Sequence, residues 1–182
     1  MTEGALRRLA LAGALLLASA SVAGAGEDEQ DLTIAFSGPP ELAVNEIEDG
    51  QEEFFGTHKG VVDAESASFL AGAEVTCEFD GYTLDARGFS CGFTTAEAVK
   101  GRCLFATPEG DTAIAEWECQ TAATMTSDAR CEGKAVWVEG AGRFSGIQGE
   151  ARFHTDQFLQ PTDGTARWRG DWRVPRLAAL TD

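Results

Sequence analysis

Five cysteines and two histidines are the side chains of widest chemical reach in this 182-residue chain. A structural zinc site needs such residues in closely spaced pairs. No C-x-x-C occurs among Cys77, Cys91, Cys103, Cys119 and Cys131, and neither His58 nor His154 lies near a cysteine in sequence, so no metal site is expected. His154 alternates outward with Arg152 and has no Ser or Cys nucleophile to pair with, so it reads as a solvent-facing or rim residue rather than a base. The acidic run Glu46, Glu48, Asp49, Glu52 and Glu53 lacks the ligand spacing of a calcium loop and reads as a solvated face. The most specific motif, Gly140-x-Gly142-x-Phe144-x-Gly146-x-x-Gly149, departs from the G-x-G-x-x-G dinucleotide fingerprint, and no helical periodicity follows it. No cofactor is expected. The motif reads instead as a tight turn between strands, with glycines at positive φ and Phe144 and Ile147 turned inward.

The elements that would position these residues are strands. Leu32, Ile34 and Phe36 share one face of a first strand, which Gly38, Pro39 and Pro40 stop. Residues 41–53 are compatible with a loop or a short strand. Ala113, Ala115, Trp117 and Cys119 alternate with Glu116 and Glu118. Ala151, Phe153 and Thr155 alternate with Arg152 and His154. Ala166, Trp168, Trp172 and Val174 oppose Arg167, Arg169, Asp171 and Arg173. Alternation of this kind marks half-buried strands, because successive side chains point to opposite faces. Residues 96–100 are compatible with one helical turn, but they lie between glycine-punctuated strands. Short strands with regular turn signals predict an all-β fold, a single antiparallel sandwich or barrel. A barrel also removes the strand edges that would otherwise have to be protected from pairing with other chains.

Residues 1–25 have the layout of a secretory signal peptide: Arg7 and Arg8, an apolar run over residues 9–20, then Ala23 and Ala25 as small residues before a cleavage point. The apolar run is short for a membrane span, which takes about 20 residues. The expected organisation is a signal peptide (1–25), an acidic leader (26–30), one barrel domain (31–175) and a C-terminal tail (176–182), exported to a periplasmic or extracellular compartment with no membrane insertion after cleavage. Thirty acidic residues against fourteen basic ones give a formal charge of −16. Such a charge disfavours nucleic acid and anionic lipid surfaces as partners.

Export makes disulfides the default, and an odd count leaves one cysteine over. The turn at residues 107–112 predicts a hairpin of residues 101–106 with 112–121, and a further turn near residues 125–128 sets Cys119 opposite Cys131. A turn near residues 84–86 sets Cys77 near Cys91, which leaves Cys103 over.

The glycine motif, with His154 at its spacing after Gly149 and Phe158 and Pro161 beyond, resembles the allene oxide cyclase-like family, whose members share an eight-stranded β-barrel with plant dirigent proteins. Gly101, Cys103 and Phe105 look like that family's G-x-C strand, and Glu109, Gly110 and Asp111 like its Gly-Asp turn. The likeness spans residues 101–174. It implies a barrel of about eight strands, with a homo-oligomer, a trimer, as a common assembly. It also implies two candidate catalytic residues: Cys103, from its G-x-C context, and Asn45, from the run Val44-Asn45-Glu46. The family's acid falls at Ala43, and its downstream proline has no counterpart in residues 50–60. The resemblance therefore implies the scaffold without the cyclase reaction. Trp117, Trp137, Phe153, Trp168 and Trp172 are large apolar side chains that either fill the barrel core or line a small ligand cavity. The expected function is a non-enzymatic exported barrel that binds a small hydrophobic ligand or a partner protein. A cyclase- or isomerase-like enzyme and an oligomeric scaffold are the alternatives.

Overall fold

The alternation read from the sequence becomes nine antiparallel strands in a computed structural model, which describes residues 30–48, 51–66, 68–83, 96–122, 130–156 and 164–174. They are β1 (Gln30–Phe36), β2 (Glu41–Glu48), β3 (Gln51–Val62), β4 (Glu74–Thr83), β5 (Ala96–Ala106), β6 (Thr112–Ala122), β7 (Arg130–Ala141), β8 (Gln148–Asp156) and β9 (Gly164–Arg173). Neighbours run in the order β1-β9-β8-β7-β6-β5-β4-β3-β2, and β1 also pairs with β3. That last pairing closes eight strands into a ring and leaves β2 outside it. Among the described residues no helix is long and apolar enough to cross a membrane.

Pro39 and Pro40 supply no backbone N–H to a ladder, so the strand that begins as β1 is interrupted there. Chain direction is kept, and β2 takes up the first half of the long β3, from Glu41↔Thr57 to Glu48↔Gln51. The other half of β3 receives β1, with Ile34 opposite Val62 and Phe36 opposite Gly60. Residues 41–53, open between loop and strand in the sequence, are thus mostly strand. Residues 96–100 form the start of β5 rather than a helical turn. Ala98 there has φ of +50°, and the register with β4 shifts between Asp80 and Tyr82, so the helical look of Ala96-Glu-Ala reflects an irregular strand.

Inside the ring, Leu32, Ile34, Phe54, Val62, Val75 and Phe105 are essentially inaccessible to solvent. Gly101 has a steric role here: a Cβ on it would come within 2.5 Å of the Trp117 indole, so the missing side chain makes room for the ring. One end of the barrel is stoppered by its own connections. Phe144 and Ile147, from the glycine motif between β7 and β8, are buried there together with Leu70 from the β3–β4 connection, and the Phe69 and Phe144 rings lie 5.5 Å apart.

The stopper is pinned by the neighbouring Gly-Asp turn. The Arg143 amide donates to Asp111 Oδ1 at 3.2 Å, and Arg143 Nε lies 3.4 Å from Asp111 Oδ2. Gly142 adopts φ of +63°, and a Cβ on it would strike the Asp111 carboxylate. The two sequence signals, Gly110-Asp111 and the glycine motif, are therefore one structural unit. Asp111→Ala is expected to lower the unfolding free energy by about 1.5–3 kcal/mol, the scale of a hydrogen bond to a charged group. Gly142→Ala adds backbone strain and is expected to cost about 1–3 kcal/mol. Urea denaturation of both variants checks the two figures.

Candidate functional site

Cross-strand register fixes what faces the barrel interior. His58, Cys77, Cys103 and Ala115 stand in one row across β3, β4, β5 and β6. Cys77 and Cys103 are direct partners with Cα atoms 4.0 Å apart, and they are joined as a disulfide. This corrects the expected pairing of Cys77 with Cys91. The β4–β5 ladder itself brings Cys103 to Cys77, whereas Cys91 lies outside the described residues. Cys103 therefore carries no thiol. The other bridge, Cys119–Cys131, spans the β6–β7 hairpin as the turn spacing predicts; it runs diagonally, since Cys131 faces Thr121 and Cys119 faces Gly133. With both bridges formed, Cys91 is the odd cysteine by count. Each bridge restricts the unfolded chain, a contribution on the order of 3 kcal/mol. Both are compatible with an oxidising environment.

Asn45 stands far from this row in register and on the opposite surface. In β2, Leu42 and Val44 pair with Gly56 and Phe54 and share their inward side, so Asn45, opposite Glu53, projects outward. The structure does not bring Asn45 and Cys103 together.

The five aromatic residues expected as core or cavity lining form a continuous stack. Trp117 meets Phe153 at 5.5 Å, Phe153 meets Trp168 at 5.7 Å, and Trp168 meets Trp137 at 6.1 Å, which in turn meets Trp172 at 5.9 Å. Phe79 and Phe105 extend the stack on two sides. The space left between Phe36, His58, the Cys77–Cys103 bridge, Phe153, Thr155 and Trp168 is about 40 Å³. That is room for about one water molecule. Pockets for small organic ligands run to about 300–1,000 Å³. In this arrangement the aromatic residues act as core.

His58, weighed from the sequence only as a metal ligand, borders that space. Its place follows from the period-2 run Phe54, Gly56, His58, Gly60, Val62, in which every member faces inward. The ring stacks on Phe36 with centroids 4.2 Å apart, and Nε2 lies 2.9 Å from the Gly38 carbonyl oxygen. A carbonyl only accepts, so Nε2 carries the proton. Burial pushes the His58 pKa down, and the Gly38 hydrogen bond works the other way. Among the described residues no three His, Cys, Asp or Glu side chains converge as a metal site would require.

On the outside, two regions stand out. Strand β2 lies beyond the closed ring, so Leu42 and Val44 are exposed even though they are on the Phe54 side of the sheet, and Ile47 is exposed as well. Across β8 and β9, Arg152, His154, Arg167 and Arg169 gather on one face, and His154 Nδ1 lies 3.4 Å from Glu132 Oε1, an outward position as its alternation predicts. The arrangement defines a closed antiparallel barrel with a filled interior and a differentiated outer surface. Comparison of the chain with protein-family models, curated proteins and solved structures finds no match.

Because the folded pKa of His58 lies below the unfolded value of about 6.5, the unfolded chain takes up a proton that the folded chain resists. The associated stability is present above about pH 6.5 and is lost as pH falls through the folded value. His58→Gln, which keeps a donor for Gly38, is expected to flatten the melting-temperature profile between about pH 7 and pH 5 relative to the native chain. Thermal melts across that range check it.

Proposed function

We propose that this protein is an exported, non-catalytic β-barrel that recognises a partner protein by accepting an extended segment along β2. The observation that carries the reading is the position of β2: it pairs only with β3, and its other edge has no partner strand among the described residues. An open edge offers a row of backbone donors and acceptors to an added strand. Leu42, Val44 and Ile47 are 37%, 42% and 47% exposed, so side-chain contacts would reinforce those bonds. The filled interior favours recognition on the outside over an apolar ligand within. The disulfide at Cys103 and the outward Asn45 favour binding over cyclase-like chemistry. The signal-peptide pattern of residues 1–25 and the two disulfides support export.

Charge selects the partner. Glu41 and Glu46 flank the exposed apolar residues, and Glu53 faces Asn45 from β3. Two copies of β2 laid edge to edge would repel, whereas a strand alternating apolar residues with Lys or Arg would be attracted. A short peptide alternating valine and lysine is expected to shift β2 backbone amides saturably in nuclear magnetic resonance titrations, and a valine–glutamate peptide is expected to leave them unmoved. N–H groups alternate in direction along β2, so of the two variants Val44→Pro and Asn45→Pro one removes an edge N–H, and that one should abolish the response while the closed ring keeps its dispersed spectrum. Equal binding of both peptides, or binding indifferent to the proline, would overturn the reading. A β2-dependent dimer or trimer in light scattering would replace it with the scaffold reading, and an apolar molecule retained in native mass spectrometry would replace it with the ligand reading.

A further inference from the structure

Alternation along β8 and β9 turns Arg152 and His154, and Arg167 and Arg169, to the outer surface, because Ala151, Phe153, Ala166 and Trp168 between them are buried. Register then sets like charges face to face. Lys134 on β7 lies opposite Arg152, and Arg152 lies opposite Arg169. In the next row His154 lies opposite Arg167. Like charges directly opposite in an antiparallel pair are destabilising. This chain has thirty acidic residues available to separate its cations, yet it clusters them here.

Among the described residues Asp31 pairs with Arg169 at 2.9 Å, and Glu132 with His154. Among the described residues, Lys134, Arg152 and Arg167 make no ion pair. Thr33, opposite Arg167 on β1, adds a hydroxyl at the edge of a depression of about 520 Å³ bordered by Arg152, His154, Arg167, Arg169 and Glu132, with Lys134 just beyond it on β7.

We infer that this face is a binding site for a compact oxyanion, a phosphate or sulfate group carried by a small solute. Two guanidinium groups and an ammonium suit such a group, since the planar fork of Arg matches tetrahedral oxyanions in paired hydrogen bonds. Dimensions set the size limit. Three neighbouring strands and two rows of same-side residues give a footprint of about 10 Å by 7 Å. Glu118 opposite Lys134, and Glu150 opposite Asp171, rim it. Screening confines the attraction to about 8 Å at physiological ionic strength. A polyanion or an anionic membrane would extend past the basic rows onto acidic surface and be repelled, whereas an anion with one or two phosphate groups fits inside the rim.

The test is a titration of backbone amides with inorganic phosphate and with pyrophosphate, against sodium chloride at matched ionic strength. Saturable shifts confined to β8, β9 and the adjoining part of β7 are expected, with pyrophosphate binding more tightly. The double variant Arg152→Gln/Arg167→Gln is expected to weaken binding roughly tenfold. Lys59→Gln, on the outer face of β3, should leave it unchanged. Relief of repulsion should hold the melting temperature of the double variant at or above the native one, so weaker binding would not reflect lost fold. Shifts that chloride reproduces, or that persist in the double variant, would overturn the inference. Binding to anionic phospholipid vesicles without binding of the free ions would overturn its restriction to compact anions.

Discussion

The barrel closes where Ile34, Ala35 and Phe36 of β1 meet Val62, Val61 and Gly60 of β3, a short ladder beside the seven-residue pairing of β1 with β9. Without that ladder the nine strands would be an open sheet with two unprotected edges. With it, alternate residues of eight strands face one confined space, and a ring of eight is only just wide enough for its own side chains. The aromatic stack fills that space. The same closure leaves β2 outside, because β3 is longer than the segment β1 can occupy. A filled interior and an available edge thus come from one constraint.

Much of the fold was legible because a strand repeats with period two and a buried face admits few residue types. Trp168 and Trp172 against Arg167, Arg169 and Arg173 state which side is inside. The hairpin joining β5 and β6 was legible from the turn at Glu109, Gly110 and Asp111. The closing pairing was not, since alternation within a strand says nothing about which distant strand lies beside it. The same blindness misplaced a cysteine. Turn spacing led from Cys77 to Cys91, whereas the β4–β5 register, set by residues on both sides of a long connection, puts Cys103 opposite Cys77. The outward arginines of β8 and β9 were visible one strand at a time; that Arg152 faces Arg169 needed the ladder between them.

The interior carries little polar chemistry, and what it carries is restrained. The disulfide removes the thiol of Cys103, and His58 is held by a stacked ring on one side and a carbonyl on the other. The charged side chains lie on the outer surface, where the acidic edge at β2 and the basic rows of β8 and β9 are separate. A strongly charged molecule with two such regions can distinguish partners by sign as well as by shape.

The aromatic stack also makes the protein its own optical reporter. Trp117 borders the same small space as the Cys77–Cys103 bridge, and ring contacts run from it through Phe153 to Trp168 and Trp137. Indoles this close exchange excitation energy, and a disulfide beside one of them drains the excited state by accepting an electron. Light absorbed anywhere in the stack can therefore be lost at one bridge. The oxidised, folded barrel should be a dim emitter that brightens when that bridge is reduced or the ring opens.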